Sequence, residues 1–174
     1  MIYFRKLRNK EKKMIEIARK FLLKSIPDRK PIETIRIKQW YLKVDGIWER
    51  VRSMDSSLFG KKWVHTIKTR ISEMSNLEEE RGISKEEFED FIKRCRLSGE
   101  ISKYIAKERR VYPYGDLKWE VDLFSQKCHI IVAEIEIPTE DYDLQIPEFI
   151  LKKSLMEVTG LKQFSTRNLS NRVK

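Results

Sequence analysis

The sequence predicts an α+β fold: an antiparallel sheet of about eight strands that can close into a barrel, flanked by helices. Three observations lead there. Most of the chain alternates apolar and polar residues with a period of two, the signature of strands. The strand-like segments follow one another in hairpin order, marked by the two-residue turn signal Asp45-Gly46, rather than alternating with helices. Finally, the polar positions carry like-signed charges two residues apart: Arg50 and Arg52, Lys107 and Arg109, Glu120 and Asp122, Glu134 and Glu136. Residues i and i+2 share one face of a strand, and the opposite face here holds Trp119, Val121 and Leu123, or Ala133, Ile135 and Ile137. Like charges side by side repel unless opposite charge sits between them. Acid pairs therefore call for a metal ion, and base pairs for phosphates.

The elements follow in order. IEIARKFLLK (15–24) sets Glu16, Ala18 and Lys20 against Ile15, Ile17, Arg19 and Phe21, and a loop containing Pro27 ends it. TIRIKQWYLKV (34–44) and IWERVRSM (47–54) flank the turn, KKWVHTIKTRI (61–71) puts Thr66, Lys68 and Arg70 on one face, and a short strand is expected from Leu77 to Gly82. Then the period changes. Ser84 and Glu87 form a capping-box pattern, followed by Phe88, Phe91, Ile92 and Cys95 at helical spacing. After Gly99 come three more strands, SKYIAKERRVYP, DLKWEVDLF and CHIIVAEIEIP. Pro147 is expected to open a second helix through Phe149, Ile150, Leu155 and Met156, closed by Gly160.

The composition sets the outer bounds. The chain has 174 residues, of which 40% are hydrophobic and 37% charged, enough for one domain with a real core. A formal charge of +10 favours an anionic partner. Residues 1–13, six of them Lys or Arg, read as a basic extension, with the compact domain spanning 14–174. Cys95 and Cys128 lack CxxC spacing, which argues against a thiolate zinc site and for a reducing compartment. No apolar run approaches the roughly 20 residues of a membrane span, so no membrane partner and a cytoplasmic location are expected.

A barrel whose inner face is charged is costly unless it holds water, ions and an anionic ligand; the alternative is an open sheet with that face in water. If the first and last strands lie together, Glu16, Glu134 and Glu136 converge as hard oxygen ligands suited to Mg²⁺ or Mn²⁺. Lys20, Arg50, Arg52, Lys68, Lys107 and Arg109 would then neutralise a phosphate chain, arginine as a bidentate fork and lysine as a point charge.

In their joint order these residues resemble the CYTH superfamily, the triphosphate tunnel metalloenzymes, over roughly residues 14–170. EIARKFLL matches the N-terminal ExExK signature at Glu16 and Lys20. QWYL, RVR ending at Arg52, TIK ending at Lys68, the ExE of Glu78 and Glu80, IAKERR, WEVD, AEIE ending at Glu136, EVTG and Asn168-Leu169 follow in sequence. The resemblance implies a closed eight-stranded antiparallel tunnel that binds triphosphate groups with a divalent metal. It implies metal-dependent hydrolysis of inorganic triphosphate, a nucleoside triphosphate or an RNA 5′-triphosphate end. The acid acting on the attacking water is to be sought inside the tunnel, at Glu78, Glu80 or Asp122. A non-catalytic binder of polyphosphate, nucleotide or RNA is the alternative. An adenylyl cyclase ranks lower, because no adenine-specific motif is legible.

One departure stands out. The second acid of ExExK, a metal ligand in the family, is Ala18. Alanine has no donor atom. Three readings follow: an enzyme inactivated by deliberate substitution, a natural variant in which Glu16, Glu134, Glu136 and water hold the metal, or a binding protein that has lost catalysis. The intact state of every other motif position favours the first.

Blander roles are expected elsewhere. Arg70 suits a strand end in solvent, and Glu78 and Glu80 belong to an acidic run that a solvated face would also explain. His65 shares a face with Trp63 and Ile67 and reads as packing, as does His129, and Cys95 sits on the apolar helix stripe. Trp40, Trp48, Trp63 and Trp119 read as core or rim aromatics, one of which could stack on a nucleobase.

Overall fold

In a computed structural model, which describes residues 12–98, 103–124 and 129–170, the sheet closes on itself. Eight antiparallel strands form the barrel: β1 (Lys12–Leu23), β2 (Glu33–Val44), β3 (Ile47–Ser56), β4 (Gly60–Arg70), β5 (Ser75–Ile83), β6 (Lys103–Tyr114), β7 (Leu117–Phe124) and β8 (Ile131–Glu136). Closure depends on the length of β1. Its first half, Lys12 to Ile17, pairs with β5, and its second half, Ala18 to Leu23, pairs with β8. Full closure removes the exposed edges of an open sheet and gives the charged face an interior to line. The Asp45-Gly46 turn joining β2 to β3 has φ of 49° and 83°, the paired positive values of a tight hairpin turn.

The strand period sorts side chains between two environments. Outward-facing Phe21, Trp119, Val121 and Ile135 are buried because the segment carrying Leu144 and Ile150 covers them. Outward-facing Leu42 and Val51 are covered by helix α1 (Lys85–Leu97) through Phe88, Phe91 and Cys95. The expected capping box is formed at its start: the Glu87 amide donates to the Ser84 hydroxyl, and the Ser84 amide donates to the Glu87 carboxylate. Inside the barrel, the inward positions of β6 run Ile105, Lys107, Arg109, Val111. Ile105 joins Phe124, Val132 and Leu169 in one apolar cluster, and Val111 joins Ile35, Ile37, Met54 and Val64 in another. Along β6, Lys107 and Arg109 therefore lie between two apolar clusters.

The expected second helix differs. Only one turn forms, α2 (Glu148–Leu151), and Leu155 and Met156 lie in a ninth strand, β9 (Ser154–Glu157), paired to β1 at Phe21 to Leu23. The reason lies in β1. β5 pairs with it only as far as Ile17, so the rest of that edge would leave buried backbone groups without partners. β9 satisfies them, and the Val158 amide continues the ladder to the Lys20 carbonyl at 2.8 Å. Leu155 and Met156 remain exposed, which is why their helical spacing misled. The described residues end in a short 3-10 turn (Lys162–Phe164) and helix α3 (Thr166–Leu169), whose Leu169 is fully buried in the apolar cluster with Ile105. The expected extension at 1–13 lies outside the described residues except for Lys12 and Lys13, which open β1, and Cys128 and Gly99 also lie outside them. No helix among the described residues is long and apolar enough to cross a membrane.

Candidate functional site

Alternation on each strand aims a row of side chains inward, and closure makes the rows converge on a cavity of about 580 Å³. β1 supplies Glu16, Ala18 and Lys20; β3 supplies Trp48, Arg50 and Arg52; β4 supplies Thr66, Lys68 and Arg70. Asn76, Glu78 and Glu80 come from β5, Lys107 and Arg109 from β6, Lys118 and Glu120 from β7, and Glu134 and Glu136 from β8. The stretch from Val158 to Lys162 and the residues Ser165 to Asn168 complete the wall. Every candidate residue read from the sequence lines this cavity except Asp122.

The charges interlock. Lys68 bridges Glu16 and Glu78, the second at 3.2 Å, and Arg50 approaches Glu78 at 3.5 Å. Arg52 donates to Glu80, which also accepts from the Thr66 hydroxyl at 3.2 Å. Lys20 meets Glu134, its Cα partner across β1 and β8, at 3.1 Å. Asp122, 3% exposed, is on the inner face but lies beneath two cations: Arg109 holds it bidentately at 2.7 and 2.9 Å while Lys107 donates to the same carboxylate. Arg109 also reaches Glu120, which Lys118 contacts at 2.8 Å.

Ionisation follows from these neighbours. Burial pushes the Glu134 carboxyl up, but Lys20, Lys68 and Arg109 outweigh it and hold the group down at about 2. Asp122 is likewise held well below the ordinary carboxylate range despite its burial, by Arg109 and Lys107. One carboxylate serves both cations there, and Arg109 takes the bidentate share. Lys107 is the surplus cation, lowered to about 8 by burial and by Arg109 against the pull of Asp122. Burial and the adjacent Arg50 lower Arg52 to about 10. The Nε donors of Arg50 and Arg52 are buried with no partner among the described residues, a costly state for a guanidinium.

Two acids move the other way. Burial, then Glu134, raises Glu16; burial, then Glu16 and Glu120, raises Glu136. Acids destabilised in this way would be relieved by a hard cation, so the donor types fit a divalent metal ion. The arrangement is not a ready coordination shell. No three His, Cys, Asp or Glu side chains among the described residues are grouped to hold a metal, Glu16 and Glu134 are each engaged by a lysine, and Ala18 offers nothing where it faces Glu136.

Sequence reasoning passed over several residues that the fold brings in. Glu120 was legible as half of a like-charged pair, and it lines the cavity where Asp122 does not. Thr66 and Arg70 were legible as inward positions of β4, and the Arg70 guanidinium donates to the Gly160 carbonyl at 3.3 Å. The irregular run containing Lys162 and Arg167 carries no periodicity to signal its place. The tryptophans separate clearly: Trp119 is fully buried, Trp40 and Trp63 pack beneath α1, and Trp48 lines the cavity with the Arg167 guanidinium 4.9 Å from its ring centre. His65 lies on the outside, against Glu49 at 2.9 Å and Phe91.

No protein-family model and no curated protein matches the chain. Solved structures do. The inorganic triphosphatase NE1496 is 25% identical, with a TM-score of 0.58 over 89% of this chain and 93% of its own. A putative adenylate cyclase from Bacillus halodurans is 17% identical, with a TM-score of 0.51 over 74% of this chain and 83% of its own. The PH1819 protein from Pyrococcus horikoshii OT3 is 14% identical, with a TM-score of 0.51 over 72% of this chain and 80% of its own. The latter two share the fold, and that alone.

Proposed function

We propose that this chain, a triphosphate tunnel protein of the CYTH superfamily by its fold, binds the phosphate chain of a triphosphate inside its barrel and, with a divalent cation, hydrolyses it. The observation that carries the reading is the pair Arg50 and Arg52. Both lie on the inner face of β3, and both have a buried Nε donor without a partner among the described residues. Burial and Arg50 depress Arg52, so an entering anion would relieve both groups. A phosphate chain offers acceptor oxygens at every link and suits the forked guanidinium. The likeness to an inorganic triphosphatase supports the same reading.

Lys20, Lys68, Lys107 and Arg109 surround the remaining phosphates. Each now engages an acid, so binding exchanges an internal ion pair for one with the ligand. Glu16, Glu134 and Glu136 would hold Mg²⁺ or Mn²⁺, which when bound polarises a phosphoryl oxygen. Glu78, kept ionised by Lys68, Arg50 and Arg52 in spite of burial, would orient an attacking water, with Glu80 two residues along β5. Asp122 acts from beneath Lys107 and Arg109, fixing both. The substrate class spans inorganic triphosphate, nucleoside triphosphates and RNA 5′ ends.

A second reading, binding without turnover, is favoured by Ala18 and by the lack of a grouped metal site among the described residues. Phosphate release from tripolyphosphate, measured with Mg²⁺ and with Mn²⁺ beside a calorimetric titration, separates the two. Binding with release supports the hydrolase; binding without release leaves a binder; no binding ends both.

A further inference from the structure

We propose that Trp48 is a stacking platform for a base, so that the tunnel takes a nucleoside 5′-triphosphate group rather than a bare phosphate chain. The proposal rests on the tunnel reading above and extends it to the part of the ligand that projects beyond the phosphates. Trp48 is the tryptophan that faces the cavity; the other three are enclosed by the core or by α1. It shares the inner face of β3 with Arg50 and Arg52 at successive alternate positions. The Cα positions that carry the indole and the two guanidiniums thus follow in line at steps of about 6.7 Å, spanning about 13 Å of strand. That is the order of groups in an extended nucleotide: flat base first, phosphates beyond. Trp48 also sits next to the β2–β3 turn, while Arg52 lies further along the strand toward the apolar plug that contains Met54. The base would therefore occupy the turn end, and the phosphates the interior.

The indole already takes a flat cationic group. Arg167 lies 4.9 Å from its ring centre, two residues before Leu169, which is buried in the apolar cluster with Ile105. A base would extend that stack or displace the guanidinium, and base–aromatic stacking tolerates any base. An inorganic triphosphate has no group that would use the indole. A rim aromatic that merely packs Arg167 would serve both ligands equally, and this difference is what the test reads.

The full chain, Trp48→Ala and Trp48→Phe are titrated calorimetrically with ATP, with inorganic tripolyphosphate and with a short 5′-triphosphate RNA. Trp48→Ala is expected to weaken ATP roughly 5- to 150-fold and tripolyphosphate less than about twofold, while Trp48→Phe keeps most of the ATP affinity. Equal losses for both ligands, or an unchanged ATP affinity, would overturn the proposal. A parent protein that binds tripolyphosphate but not ATP would overturn it too, and one that binds neither would overturn the tunnel reading itself. The RNA arm identifies the source: tighter binding than ATP with the same Trp48 dependence marks an RNA 5′ end, and weaker binding marks a free nucleotide.

Discussion

Ala18 stands directly opposite Glu136 across the β1–β8 ladder, two residues from the Lys20–Glu134 pair on the same inner face. The side chain that faces Glu136 at closest range thus carries no charge, and Glu136 is raised by burial and by Glu16 and Glu120. A carboxylate at 18 would complete a cross-strand acid pair, so Ala18→Glu should bind divalent metal more tightly and release phosphate faster than the parent. Like charges directly opposite in a sheet destabilise by about 0.2–1 kcal/mol, so the variant should melt lower without metal and recover when Mn²⁺ or Mg²⁺ is added. Thermal unfolding and phosphate release across a metal titration check both halves. A variant that folds, binds tripolyphosphate and turns over no faster would show that the missing carboxylate does not limit catalysis.

Asp122 is the structural anchor of two cations, which gives it a distinct signature. Asp122→Asn removes the acid that pairs with buried Lys107 and leaves Arg109 with Glu120. Breaking a buried pair of this kind costs about 3–5 kcal/mol. Denaturant unfolding should show a loss of that size. A variant of normal stability that binds triphosphate but has lost turnover would instead make Asp122 the acid that acts on water.

Lys107 gives the site a pH dependence of predictable sign. Its ordinary value of 10.5 falls to about 8 in the fold, first because of burial and then because of Arg109. Between those two values the unfolded chain holds the proton that the folded chain has released, so this group makes stability rise with pH across that window. Phosphate binding needs the charged form, so affinity should be flat below about pH 8 and fall above it, by at most tenfold per unit. Lys107→Arg keeps its charge and should flatten the fall. Titrations of both proteins with tripolyphosphate from pH 7 to 10, read as the difference between them, cancel the ligand's own ionisation. Parallel curves would place Lys107 away from the ligand.

The barrel was legible because two signals coincide in it. Period-two alternation placed Arg50, Lys107 and Glu134 on one face of their strands, and the like-signed pairing required that face to be shared with something of opposite charge. The fold supplied the partners: Glu78, Asp122 and Lys20, respectively, each on a different strand. What pattern could not convey is depth. Glu120 and Asp122 are equivalent in sequence terms, yet the first lines the cavity and the second is sealed beneath Lys107 and Arg109 on the same inner face. The strand at Ser154–Glu157 was hidden for another reason: it exists to satisfy the edge of β1, a demand made by a strand far away in sequence.

The central claim is that Arg50 and Arg52 receive a triphosphate, and one measurement addresses it most directly: calorimetric titration of tripolyphosphate into the parent protein, Arg50→Ala and Arg52→Ala. Hydrogen bonds to charged groups contribute about 1.5–3 kcal/mol each, so each variant should bind at least tenfold more weakly. Each variant also deprives an acid of a partner, Glu78 or Glu80, so its unfolding temperature should fall, and affinities are compared at a temperature where every variant is folded. Unchanged affinity in both folded variants would contradict the account, for the ligand would then lie somewhere other than along the inner face of β3.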